Sequence, residues 1–339
     1  MSDVEVRSHP LRPASSLTRL YGYGRQSGND NTPAPRSAAP VHLRPGMTVE
    51  ASFREILREC VDQIAANIEV VWISDNPEGP HQLRIGLRRL RTIFTIFAAV
   101  VRSDELERLD AETRWLARQV GELRDLDVVW HDILGVEIER HPDEVGLPPL
   151  SATISLEAAA RRETLCATLV TPRTQALLLD LVNFVETRGW LASTNLTQTM
   201  QLAMPVRGFA ASAIEKRWRK VGKRGRQFKQ LGIEQRHELR KELKKLRYTI
   251  EFFASLFEAK GMKRMIGRLK RLQTIFGALN DAQMARGIIE RQGFAHAAEA
   301  STQRAVGWVL GASDARAEIA WRDARKQFRK FKDAGPFWR

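Results

Sequence analysis

Two segments of this chain are near copies of each other at a fixed separation. HQLRIGLRRLRTIFTIF begins at His81 and HELRKELKKLRYTIEFF at His237, and seven of the 17 aligned positions are identical. Two more exchange Arg for Lys. The offset of 156 holds further along, where VGELRDLDV (120–128) faces FGALNDAQM (276–284), pairing Gly121 with Gly277 and Asp125 with Asp281. No insertion separates the two blocks, which is the mark of an internal duplication with long units. The architecture it implies is a pair of four-helix-type bundles related by a pseudo-twofold axis.

The class of those units follows from periodicity. From residue 48 onward apolar residues recur at helical spacing between Gly/Pro punctuation such as NPEGP (76–80) and HPDEVGLPPLS (141–151), and alternating strand-like runs are missing. The reading is all-α. Helices are expected near 48–72, 80–101, 103–120, 122–140, 151–170 and 172–187, then near 200–230, 234–258, 260–277, 279–292, 295–311 and 314–332. Residues 1–45 are rich in Ser, Pro, Gly, Arg and Asn and carry little apolar periodicity. Such a stretch cannot bury enough surface to offset the cost of ordering, so a disordered leader is expected there. The helical domain would span 46–332, divided into repeats at 46–195 and 200–332, with a short tail at 333–339.

Within the repeated helix, two rhythms separate. Taking 100° per residue from His81, Arg84, Arg88 and Arg91 fall within about 80° of the histidine, while Leu83, Leu87, Leu90, Phe94 and Phe97 cluster at about 160–240°. One stripe is basic and the other builds a core. His237, Arg240, Lys244 and Arg247 repeat the basic stripe, with Leu239, Leu243 and Leu246 behind it. A basic helix face is often merely solvated. Here, however, like charges repel at i,i+3 and i,i+4 spacing, no Asp or Glu within either stripe relieves them, and the pattern occurs twice. Neighbouring positive charge should also hold His81 and His237 neutral, and a bound polyanion would reverse that bias.

Net charge points the same way. Lys+Arg number 54 against 40 Asp+Glu, giving +14 over 339 residues. That balance favours nucleic acid, an anionic membrane face or a phosphate polymer, and its sign cannot choose among them. A second concentration lies at 207–247, where 15 Lys/Arg meet 4 Glu, and Arg217, Lys220 and Arg224 share one helix edge. Their counterparts in the first half are Val61, Ile64 and Ile68.

Several function classes find no support. Cys60 and Cys166 are the only cysteines and have no C-x-x-C spacing, so a thiolate metal site or disulfide framework is not expected. RDLD (124–127) with ND (280–281) offers fewer oxygens than Mg²⁺ or Ca²⁺ usually takes, so Asp125 and Asp281 are expected to orient arginines. No metal or other cofactor is expected. No GxxxxGK[ST], HExxH or GxSxG motif occurs. The longest strongly apolar run has ten residues, where a membrane span needs about 20. Those features suit a non-catalytic, cytoplasmic protein.

HQLRIGLRRLR with GELRDLDV, then HELRKELKKLRY with GALNDAQM, resembles the CHAD family, the conserved histidine α-helical domain. The resemblance covers roughly residues 48–332. It implies two four-helix bundles around a basic central channel that binds inorganic polyphosphate. His81, Arg84, Arg88 and Arg91, with His237, Arg240, Lys244 and Arg247, would then line that channel. Arg217, Lys220 and Arg224 are added as candidates from the second charge concentration. Some family members carry a triphosphate tunnel domain with an E-x-E-x-K signature. This sequence has no such signature, so triphosphatase activity is not implied. Relatives are associated with polyphosphate or polyhydroxyalkanoate granules, a location the sequence itself leaves open. Nucleic-acid binding is the alternative, against which Phe94, Phe97 and Phe252 sit on the core side and offer no stacking platform. A histidine phosphotransferase lacks the acidic cluster and nucleotide loop it would need.

Overall fold

A computed structural model describes residues 33–192, 194–291 and 299–339. Helix α1 (Val49–Ile73) opens on Thr48, whose hydroxyl accepts from the Ala51 amide at 3.1 Å. Helix α2 (Glu78–Val101) carries the first copy of the repeated segment. Ser103 caps α3 (Asp104–Asp127), which widens into a π-helix (Val128–Gly135) and closes as α4 (Val136–Arg140). Helices α5 (Leu147–Leu169) and α6 (Pro172–Glu186) follow, then α7 (Leu196–Ala203) and α8 (Val206–Arg224). The second copy lies on α9 (Ile233–Phe252), ahead of α10 (Ala259–Arg291) and α11 (Ala300–Lys332). Among the described residues no strand forms, and the class is all-α as expected.

The two halves use one order of neighbours. In the first, α1 packs on α2, α2 on α3 and α3 on α5; in the second, α8 packs on α9, α9 on α10 and α10 on α11. The halves meet where α2 touches α9 and where α5 touches α11. Aromatic rings close the junction beyond the C-terminal end of the basic stripes. Phe97 of α2 lies 4.6 Å from Phe209 of α8 and 6.2 Å from Phe253, and Phe53 of α1 lies 4.9 Å from Phe97. The leucines of both repeated helices, Leu83, Leu87, Leu90, Leu239, Leu243 and Leu246, are fully buried in the core that runs through both halves.

Helix boundaries depart from expectation at glycine. Breaks were predicted at Gly121, near 278 and near 312, yet α3, α10 and α11 each run on. A helical glycine costs only about 1 kcal/mol relative to alanine, which long packed helices absorb. Pro205 does break the expected 200–230 helix into α7 and α8. Gly225 caps the C-terminus of α8, where Phe328 fills the space a side chain would need, 2.1 Å from where a Cβ would stand.

Part of the segment expected to be a leader contacts the domain. Residues 1–32 lie outside the described residues, and 33–45, expected to be unstructured, form no helix or strand but are hydrogen-bonded to the domain. Asn67 of α1 clamps Arg36, accepting its amide proton at 3.1 Å and donating to its carbonyl at 2.8 Å. Glu59 accepts from the Ala39 amide at 2.7 Å and pairs with the Arg36 guanidinium at 3.0 Å. Ser255, from the second half, hydrogen-bonds both the amide and the carbonyl of Leu43. Polar side chains of the domain satisfy backbone groups of a segment whose own apolar anchors are few, Val41 and Leu43, both buried in the core. Composition registers only the second fact.

Asn67 is fully buried and also donates to the Gln63 carbonyl at 2.7 Å. Asn67→Ala should lower unfolding stability by about 1–3 kcal/mol in a urea titration and make the chain near Arg36 the first site of limited proteolysis.

Candidate anion site between α2 and α9

The basic stripes of α2 and α9 face each other. Lys244 is surrounded by Arg88 and Arg84 from α2 and by Arg240 and Arg247 from its own helix. Burial, reinforced by the charges of Arg88, Arg240, Arg84 and Arg247 in that order, pushes its ammonium pKa down to about 6. Its neighbours show why the position is unusual. Lys245 pairs with Glu242 at 3.2 Å, and Lys241 pairs with Glu238, whereas Lys244 has no carboxylate partner among the described residues.

Arg240 is the second uncompensated cation. Its Nε is buried with no hydrogen-bond partner, and it forms no ion pair among the described residues. Burial lowers its pKa; Asp281 opposes that shift, and Arg88 and Arg84 add to it. The Asp281 carboxyl is itself buried and raised, with Arg240 the strongest of the charges drawing it back. This pair interacts at longer range than hydrogen-bond contact.

Its first-half equivalent is closed. Arg84 Nη1 donates to Asp125 Oδ1 at 2.6 Å and to the Gly121 carbonyl at 3.2 Å. The guanidinium lies over Gly121, 3.6 Å from where a Cβ would stand, so a side chain longer than a methyl would occupy its path. Asp125 thus orients an arginine, as the spacing of GELRDLD suggested. Arg91 is held by Asp110 of α3 at 2.9 Å, and Arg247 lies 3.7 Å from Glu251.

Tyr248 was not among the sequence candidates. It is buried, and its hydroxyl accepts from Arg88 Nε at 3.1 Å. Burial raises its phenol pKa, but Arg88 and Arg247 together outweigh that and leave it lowered. Arg124 was also missed, because RDLD was read for its acids. Its charge is the largest neighbouring influence on His81 after burial, and both keep that imidazole below the ordinary histidine range. His237 is lowered too, by burial and then by Lys241 and Arg240. Both histidines are therefore neutral near pH 7, as the basic stripes led one to expect.

His237 and Arg240 also line a cleft of about 290 Å³ between α9, α10 and α11, with Arg236, Asn280, Gln283 and Arg286 on its walls. Arg286 is paired with Asp314 at 2.6 Å.

Three candidates do not join this cluster. Arg217 and Lys220 of α8 both reach Glu242, at 3.8 and 3.2 Å, and Arg224 approaches Glu238 at 3.9 Å. Glu238 and Glu242 stand on a different side of α9 from the His237–Arg247 stripe, roughly 100–140° from His237. The edge on α8 is matched to that acidic edge and ties α8 to α9. That geometry sets all three against acids of α9 rather than among the seam cations.

Metal chemistry has no visible foothold: among the described residues no group of three or more His, Cys, Asp or Glu side chains is arranged to hold an ion. Both cysteines are free, Cys60 buried with its thiol pushed up to about 12 and Cys166 half-buried. Among the described residues no single helix is long and apolar enough to cross a membrane.

Lys244 gives a stability test. Between about pH 6 and 10.5 the unfolded chain binds the proton that folded Lys244 does not, so its cost is largest at pH 6 and below and fades as pH rises toward 10.5. At pH 7 that cost is on the order of a few kcal/mol. Lys244→Met should therefore raise the melting temperature of the unliganded protein by several degrees in calorimetry at pH 7, with the gain shrinking toward pH 10.

The CHAD domain family model matches residues 55–290 of this chain. Among solved structures, the chain is similar to the crystal structure of the CHAD domain from the plant Ricinus communis, with a TM-score of 0.73 and 25% identity, covering 87% of this chain and 96% of that one. It also shares its fold with PptA from Streptomyces chartreusis, at a TM-score of 0.60 and 14% identity over 84% of this chain and 99% of that one. No curated protein matches.

Proposed function

As the chain belongs to the CHAD domain family, whose model spans most of it, we propose that it binds inorganic polyphosphate along the seam between α2 and α9, without catalysing a reaction on it. One observation carries the reading: Lys244 and Arg240 stand half-buried one helical turn apart among further guanidinium groups, with no carboxylate to pair them among the described residues. Burying charge uncompensated is costly, and proteins retain such a site where a ligand of opposite sign completes it.

The polymer suits the seam on three counts. Each basic stripe runs about 15 Å along its helix, the reach of an extended chain of phosphates rather than of one ion. Arginine forks match phosphate oxygens in pairs, and Tyr248 and Asp125 already hold Arg88 and Arg84 in place. Low-dielectric walls of leucine behind both stripes concentrate the field on whatever lies between them. Recurrence of one packing order in both halves supports the view of a duplicated four-helix unit closing around one channel.

Nucleic acid shares the charge but asks for more. Phe94, Phe97 and Phe252 are all buried in the core, so these three rings offer a base no stacking surface at the stripes. The cytoplasmic, granule-associated location common to the family's relatives is compatible with this reading and is part of the proposal.

Competition at fixed, near-physiological salt tests it. Labelled long-chain polyphosphate should resist displacement by DNA or RNA at equal charge and yield to unlabelled polymer. Arg240→Met should weaken binding about tenfold or more and reduce the dependence of log affinity on log salt by about one unit. Lys223→Met, on the exposed side of α8, should change both far less. Equal displacement by DNA would transfer the site to nucleic acid.

A further inference from the structure

We propose that Lys244 is a site of covalent acylation by small acyl phosphates, mixed carboxylic–phosphoric anhydrides that the surrounding arginines capture by their phosphate, and that this modification closes the seam to its polyanion. The inference rests on the anion-binding reading above and extends it to regulation.

Reactivity at an amine needs a free lone pair and a positioned electrophile. Position comes from the seam. Arg84 and Arg88 project from α2, and Arg240 and Arg247 from α9, around one lysine Nζ. Arg240 is unpaired and offers its guanidinium to a phosphate, while Tyr248 fixes Arg88 by its 3.1 Å hydrogen bond. The acids facing this group from α3 and α10 are Asp125, engaged by Arg84 at 2.6 Å, and Asp281, buried and raised. Neither pairs with Lys244 within ion-pair distance.

The lone pair comes from the same crowding. An ammonium held near pKa 6 is mostly free amine at neutral pH, whereas Lys241 and Lys245 on the same helix are each ion-paired to a glutamate. Lys244 remains partly accessible to solvent, so a small anhydride can reach it.

The step balances without any further reagent. Nζ attacks the carbonyl carbon, a C–N bond forms, and the bond from that carbon to the phosphate oxygen breaks. The leaving phosphate takes up the ammonium proton and departs as hydrogen phosphate. An amide remains, and with it Lys244 loses the charge it would otherwise gain on meeting a polyanion.

Acetyl phosphate is the probe. The full chain is incubated with it near pH 7.5, with and without long-chain polyphosphate, and acetylation is followed residue by residue by peptide mass spectrometry. Polyphosphate binding is measured on the same preparation. Lys244 should react at least tenfold faster than Lys241 and Lys245, polyphosphate should protect it, and Arg240→Met should slow it. A neutral acetylating ester should show a smaller preference, because the arginines do not hold it. If polyphosphate binds and Lys244 reacts no faster than its neighbours, the inference fails while the binding reading stands. If Lys244 reacts selectively and polyphosphate neither binds nor protects, the binding reading fails instead, and with it the regulatory half of the proposal.

Discussion

Packing α2 against α9 sets two rows of like charge face to face, and the rest of the molecule is arranged to hold them there. Repulsion among Arg84, Arg88, Arg240, Lys244 and Arg247 opposes that packing, most of all where the side chains are buried. The counterweight lies at the other end of the same helices. Phe97, Phe209 and Phe253 close an apolar junction there, and Arg89, buried on α2, stacks 4.7 Å from the Phe252 ring and approaches Glu251 at 3.7 Å. Apolar burial at one end thus offsets electrostatic strain at the other.

The outer helices decide which cations are neutralised and which are left. From α3, Asp125 and Asp110 engage Arg84 and Arg91, and Glu251 approaches Arg247. Among the described residues the second half lacks an equally close pair for Arg240, and no carboxylate pairs Lys244. Charge is therefore compensated unevenly along the seam, and the uncompensated part is the part deepest between the halves. A saturated channel would have little to gain from a polyanion, since each phosphate would have to displace a carboxylate first. The asymmetry also reaches the mouths: Arg124 stands beside His81, where the matching position near His237 is Asn280.

Much of this was legible in the sequence, because periodicity and repetition report burial directly. The split of HQLRIGLRRLR into a leucine face and a basic face is what the structure contains, as is the hold of Asp125 on Arg84. What escaped was set by partners on other helices. Arg217, Lys220 and Arg224 carry the same charge as the seam residues, and only the position of Glu238 and Glu242 across from them shows that they are paired with acids. Tyr248 was not singled out by the sequence, and its part in the seam depends on the hydrogen bond its hydroxyl accepts from Arg88 on the other helix. Residues 33–45 have the composition of a free leader, yet Asn67, Glu59 and Ser255 bind their backbone, and no one-dimensional pattern encodes such a contact.

The central claim is that the seam carries charge awaiting an anion, and Lys244 reports on it. A side-chain NMR titration of Lys244 in the free protein should give a pKa near 6, against about 10.5 for an ordinary lysine. With long-chain polyphosphate bound, the same resonance should stay protonated past pH 8, so that binding near pH 7.5 takes up a proton and weakens as pH rises from there. A Lys244 that titrates near 10 in the free protein, or whose titration polyphosphate leaves unmoved, would contradict the account.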